Sequence, residues 1–150
     1  QLLAVWFGAG LLPKAPGTWG SLAALPLAYA IAYWGSLEIL SGATIIVFVV
    51  GVWASEVTSR AMGVTDPSEI VIDEVAGQWL TLVPFAPDPL LYGLGFVFFR
   101  IADIIKPWPV SWADGHVKGP MGIMLDDVLA GIYAGAALYA VNVYLLAGGQ

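Results

Sequence analysis

Cysteine is absent from this 150-residue chain, so disulfides, thiolate nucleophiles and Cys-ligated zinc are excluded. Histidine occurs once, at His116, which excludes phosphatase chemistry built on paired histidines. It lies in the polar stretch Trp112–Lys118, which reads as a solvated loop. Charge is scarce too: five Lys and Arg stand against eleven Asp and Glu, for a net charge of −6. So few cations on so acidic a chain leave no footprint for nucleic acid.

What the chain has in abundance is apolar surface. Hydrophobic residues make up 59%, with a mean hydropathy of +0.84, whereas an average soluble domain holds roughly 45–50%. A soluble body of this size has too little interior to hide that surface, so residence in a membrane is expected. The length suits one domain over 1–150. Because the chain begins at Gln1 and not at Met, a few residues are expected to precede it, and no signal peptide is read from it.

Apolar runs occupy 19–34, 39–54, 75–99 and 128–147. Leaving aside the third, which prolines break, only the last reaches the roughly 20 residues that span a bilayer unaided; the first two span if Thr18 and Ser55 extend their helices. The third run is interrupted by PFAPDP, Pro84 to Pro89. Three prolines there remove donors and forbid continuous helix. The expected helices are therefore 18–34, 38–60, 69–84, 89–106 and 126–147. The fold class is all-α: a compact bundle of about five to six mostly membrane-embedded helices, with a Pro-broken helical hairpin over 69–106.

The hairpin has a geometric consequence. At 1.5 Å per residue, Asp73 and Asp103 lie about 16 and 21 Å from the turn, so both finish near the same open end. Asp126 and Asp127 are expected to open the last helix at that end. Lys14, Arg60, Arg100, Lys106 and Lys118 all fall on the same side in this topology, and Glu38 and Asp88 on the other. A single straight span over 75–99 would put Arg60 opposite Arg100, Lys106 and Lys118, against that rule.

Two tight acid pairs now stand out, DEVAGQ from Asp73 and LDDVLAG ending at Gly131. With Asp103 they put five carboxylates, Asp73, Glu74, Asp103, Asp126 and Asp127, against Lys14, Arg100 and Lys106 on one face. Like charges so close repel strongly where the dielectric is low. A divalent cation with oxygen ligands removes the conflict, and Mg²⁺ suits a carboxylate set without His or Cys. Simple helix capping would need only one acid per helix. In each pair the pattern Asp-x-x-Ala-Gly sets small residues on the helical face of the acid, which permits close helix approach or leaves room for a substrate. Arg100 and Lys106 flank Asp103 at helical spacing and suit a phosphate. LLPKAPGTWGS adds Lys14 and Thr18, with Thr18 as an expected N-cap near which free backbone N–H groups suit an anion.

These residues resemble the phosphatidylglycerophosphatase A family in three blocks: Gly8–Ser21, Ile70–Gln78, and Phe99–Pro109 leading on to Gly122–Gly131. The resemblance implies a helical enzyme that removes the terminal phosphate of phosphatidylglycerophosphate with Mg²⁺. Asp73, Glu74, Asp103, Lys106, Asp126 and Asp127 match the family's polar positions. Ala102, where an aromatic commonly precedes the aspartate, and Pro120, where a second Gly often follows Gly119, depart from the pattern without removing a charge.

The expected assignment follows. Asp73, Glu74, Asp103, Lys106 and Asp127 act in catalysis; Lys14, Thr18, Arg100 and Lys106 bind the substrate phosphate; Asp73, Glu74, Asp103, Asp126 and Asp127 hold the metal. The partners are a phospholipid substrate and the membrane, and the setting is a multi-pass protein of a bacterial inner membrane with its site at the cytoplasmic face. The DxDxT signature of haloacid-dehalogenase phosphatases and the acid signature of CDP-alcohol phosphotransferases are both missing. The alternative is a small membrane ion or proton transporter, or a cation-binding protein, that uses the acidic cluster.

Overall fold

The computed structural model describes residues 1–146. Among them are six α-helices: α1 (Pro16–Trp34), α2 (Leu37–Met62), α3 (Ile72–Leu82), α4 (Pro89–Ile105), α5 (Val110–His116) and α6 (Pro120–Val141). A 3-10 segment, Trp6–Leu11, precedes them and a π-helical turn, Asn142–Leu146, follows. No strand occurs among the described residues.

Local chemistry sets these limits. Pro opens α1, α4 and α6, where its missing N–H is one of the helix's free donors in any case. The Ser36 hydroxyl accepts from the Ile39 N–H at 3.3 Å and the Asp88 carboxylate from the Leu91 N–H at 2.9 Å, capping α2 and α4. Gly63 closes α2 in a left-handed conformation, φ 68°. Residues 83–88 form the turn expected from PFAPDP, so the hairpin is present with arms α3 and α4.

α3 is the centre of the bundle. It touches α1, α2, α4 and α6, with its broadest contact on α6. Eight of its eleven residues are buried, from Ile72 to Leu82, so protein covers it rather than lipid. At 1.5 Å per residue it is only about 16 Å long. Val75, Trp79 and Leu82 pack with Ala24, Ala28 and Tyr92 in one apolar cluster. Ile72 and Ala76 enter another with Ala54, Ile123 and Met124. The Trp79 indole N–H donates to the Ala24 carbonyl at 2.9 Å, which ties α3 to α1. The Ala4 carbonyl accepts from the Val71 and Ile72 N–H groups, at 2.9 and 3.2 Å. It therefore serves donors that have no partner inside α3.

Glycine decides how α3 meets α6. A Cβ on Gly131 would lie 2.5 Å from the Gly77 carbonyl oxygen, and one on Gly77 2.5 Å from that of Asp127 and 2.6 Å from the Phe99 ring. One turn on, a Gly135 Cβ would rest 3.5 Å from the Thr81 carbonyl oxygen. Asp73, Gly77 and Thr81 thus stand beside Asp127, Gly131 and Gly135 at a constant offset, and the helices run parallel with backbones nearly touching. The Thr81 hydroxyl lies 3.0 Å from the Gly77 carbonyl and 3.2 Å from that of Gly131, across the seam. The glycines of the two Ala-Gly pairs form the seam, while Ala76 and Ala130 pack in the apolar clusters on either side.

Among the described residues, two helical stretches are long and apolar enough to cross a membrane, Leu37–Met62 and Pro120–Tyr144. On α2, Ile39, Ile46, Val49, Trp53 and Val57 are exposed at helical spacing, an outward apolar stripe.

Three local expectations give way. Asp126 and Asp127 do not open the last helix; α6 starts at Pro120, so both acids lie well beyond its first turn. The run of apolar residues from 128 marks only its far part, while Pro120 after Gly119 marks its start. Residue 147, the end expected for that helix, lies outside the described residues. Thr18 is not the N-cap of α1, because the helix begins at Pro16 on a left-handed Ala15, φ 50°. Trp112–Lys118 is mostly helix rather than loop: α5 ends at His116, whose exposed ring donates from Nδ1 to the Trp112 carbonyl at 2.9 Å and stacks on the Trp112 indole.

The seam predicts an unequal response to single methyl groups. Gly131→Ala should cost about 1–3 kcal/mol, because a backbone carbonyl blocks the new Cβ. Gly93→Ala on α4, where nothing lies within 4 Å, should leave thermal unfolding in detergent unchanged or slightly raised. Equal melting temperatures for the two variants would remove the seam as organiser of the bundle.

Candidate active site

The open end of the hairpin faces a cavity of about 530 Å³. Its walls come from the start of α1 (Ala15, Pro16, Gly17), the α2–α3 loop (Thr65 to Ser68), the start of α3, the end of α4, α5, and the first turns of α6. Asp73 and Asp103 both line it, as the hairpin geometry requires.

The five expected acids divide by partner. Asp103 pairs with Arg100 at 2.5 Å and Asp126 with Lys106 at 2.8 Å. Among the described residues, Asp73, Glu74 and Asp127 form no salt bridge. One carboxylate oxygen from each lies within 4.8 Å of the others. Asp73 Oδ1, Glu74 Oε2 and Asp127 Oδ2 are buried without a hydrogen-bond partner. Unpaired buried carboxylate oxygens cost far more than paired ones. Three together, with no nitrogen or sulfur ligand beside them, fit a hard divalent cation.

Each side chain is held by its element. Asp73 and Glu74 occupy the first turn of α3, where the helix dipole favours anions. That reason fails for Asp126 and Asp127, which the α3–α6 seam carries into place. Gly17 packs directly on the Glu74 carboxylate, and a Cβ there would also meet Arg100 Nη1 at 3.2 Å. The Ser21 hydroxyl donates to the Gly17 carbonyl at 2.8 Å and accepts from Arg100 Nη1 at 3.5 Å. The start of α1 is thus a fitted wall behind Glu74 and Arg100. Lys14 is exposed, Thr18 is half-buried, and neither lines the cavity.

Three charged residues that sequence patterns did not mark as site residues also line the cavity, Asp66, Asp114 and Lys118. Asp114 accepts from Lys106 Nζ at 2.5 Å, so Lys106 bridges Asp114 and Asp126. Lys106 ends α4 in a left-handed conformation, φ 49°. For a residue with a side chain this costs of order 1–3 kcal/mol, offset by two charge-assisted hydrogen bonds. Burial pulls the Lys106 pKa down, but Asp114 and Asp126 outweigh it and hold it above the usual lysine value. The hydrogen bond from Lys106 in turn draws Asp114 below the ordinary carboxylate range. The signal for Asp114 was its place in Trp112–Lys118, which helix formation turns toward Lys106.

Burial, and then the Glu74 charge, raise the Asp73 carboxyl well above the ordinary aspartate value. Burial also raises Glu74, partly opposed by its hydrogen bond with Asp73. A raised folded pKa means the folded state keeps a proton that the unfolded chain has released. In chelator, stability should therefore fall as pH climbs from the unfolded carboxyl range through the raised values. Added Mg²⁺ should restore it at neutral pH by binding the ionised set. Thermal unfolding across pH 4 to 8, with EDTA and with Mg²⁺, checks this; identical curves would sink it.

The family model described as phosphatidylglycerophosphatase A matches residues 2–142. The phosphatidylglycerophosphatase A of Escherichia coli (strain K12) is 43% identical over 145 residues, which cover 95% of this chain and 83% of that protein. That of Haemophilus influenzae is 38% identical over 147 residues, covering 97% and 90%. No solved structure matches. With this coverage on both sides, the chain belongs to the phosphatidylglycerophosphatase A family.

Proposed function

We propose that the chain hydrolyses the terminal phosphate of phosphatidylglycerophosphate, giving phosphatidylglycerol and inorganic phosphate, and that it needs Mg²⁺. One observation carries this reading: the carboxylates of Asp73, Glu74 and Asp127, each with one buried oxygen lacking a hydrogen-bond partner, converge in the cavity that Arg100 and Lys106 also line. Acids without cations offer a metal site, and cations beside them offer an anion site. A phosphate monoester is the ligand that uses both. The names of the relatives supply the substrate.

Asp73, Glu74 and Asp127 would hold the metal, with Asp103 and Asp126 in reach as their cation partners exchange. Bound Mg²⁺ supplies a Lewis acid for phosphoryl oxygens and a water of lowered pKa. Arg100 and Lys106 bind the phosphate dianion and neutralise charge on the transferring group. Lys106, held by Asp114 and Asp126, would act as a charge on the phosphate. Water forms the new P–O bond and gives its proton to one carboxylate of the set. The bond from phosphorus to the glycerol oxygen breaks, and that oxygen takes up a proton as phosphate leaves. Lys14 and Thr18 would bear on the phosphate only from the rim.

The same reading places the protein in a bacterial inner membrane as a multi-pass chain, with Leu37–Met62 and Pro120–Tyr144 crossing and the cavity at the cytoplasmic face. Arg100, Lys106 and Lys118 line the cavity, in keeping with positive residues inside. An ion path is disfavoured, because its acids would be spread through the bilayer, whereas these meet in one cavity at the hairpin's open end.

The test is phosphate release from phosphatidylglycerophosphate by purified protein in detergent. EDTA should abolish it and Mg²⁺ restore it. Asp127→Asn should lower kcat by roughly 10²–10⁴-fold, with a melting temperature unchanged or raised, since a buried like charge is gone. A folded Asp127→Asn protein with full activity would defeat the assignment.

A further inference from the structure

On the outer side of the α4 end, away from the acids, lies an apolar groove of about 230 Å³ between α4 and α6. Phe98, Ile101, Ala102 and Ile105 form one wall, and Tyr133 and Ala137 the other. We propose that it seats an acyl chain of the same lipid molecule whose phosphate enters the acid cavity. This rests on the lipid phosphatase reading above.

Continuity is the first argument. Asp103 and Lys106 line the acid cavity, while their chain neighbours Ala102, Ile105 and Pro107 line the groove. The two sites are opposite faces of one helix end, so about one helix diameter, roughly 10 Å, separates them. A molecule with a phosphate in one and hydrocarbon in the other crosses the α4 end at Lys106.

Complementarity is the second. No charged side chain lines the groove, whereas charged groups dominate the cavity. An anionic head joined to a hydrocarbon tail is the ligand that satisfies both. Ile105 and Trp108 are 70% and 75% exposed, so this side opens outward, where a bilayer chain would approach. The Tyr133 hydroxyl donates to the Trp108 carbonyl at 2.6 Å and fastens the Pro107–Trp108 segment to α6. That bond gives the groove a fixed end beside Lys106. Alanines at 102, 134 and 137 set its width.

Ala137 is exposed, so a large side chain can replace it without entering the core. The experiment compares wild type and Ala137→Trp on dipalmitoyl and dihexanoyl phosphatidylglycerophosphate, in mixed micelles at fixed mole fraction with Mg²⁺. The variant should raise KM for the palmitoyl lipid about tenfold, because a filled groove removes binding that is uniform along the reaction. Its kcat, and KM for the hexanoyl lipid, should stay within about twofold. Ala137→Leu, which fills less space, should move the palmitoyl KM the same way by less. An unchanged palmitoyl-to-hexanoyl KM ratio in both variants would overturn the proposal and leave the groove to bulk lipid. Absence of release by wild type from either lipid would instead overturn the phosphatase reading, and the groove with it.

Discussion

Two glycines facing each other across α3 and α6 bring backbones closer than any side chain would permit, and the rest of the molecule is arranged around that approach. In a membrane, helices gain little by hiding apolar groups from one another, since lipid is as apolar as they are. Here α3 and α6 are joined by close backbone contact and a hydrogen bond as well as by apolar packing. The Gly77–Gly131 seam supplies the contact, and the Thr81 hydroxyl adds a bond across it. Because the helices run parallel in constant register, whatever lies one turn before each glycine is also brought together. What lies there is Asp73 and Asp127.

That arrangement turns a packing solution into an electrostatic problem. The acids meet because glycines pack, and among the described residues three of them form no salt bridge. The two remaining acids are occupied by Arg100 and Lys106, with Asp114 sharing the lysine. The division matters chemically. A set in which every acid had its own cation would be stable and inert, whereas three acids without cations beside two cations already fixed in place can receive a metal ion and an anion together.

Much of this was legible in the chain itself. PFAPDP announced the hairpin because proline cannot continue a helix, and the rise per residue then put Asp73 and Asp103 at one end. The acid-x-x-Ala-Gly repeats announced close approach, though not which helices approached. Other features were hidden for physical reasons. The apolar run from 128 puts the start of the last expected helix at 126, because the turns before it carry the polar residues of the site and do not look like a span. Thr18 has the chemistry of a cap, yet Pro16 already fixes a helical φ two residues earlier. Asp114 meets Lys106 only through the tertiary placement of α5. The split of five acids into two paired and three free depends on side-chain reach, which spacing along the sequence does not encode.

The register between α3 and α6 also has a consequence in time. α3 is made long before α6, and a ribosome adds only about 5–20 residues per second. Until the last helix arrives, the face of α3 that bears Asp73 and Gly77 has no seam to fill. Asp127 reaches Asp73 only once α6 lies in register with α3. Until α6 is made, the three carboxylates of Asp73, Glu74 and Asp127 have no common place to meet.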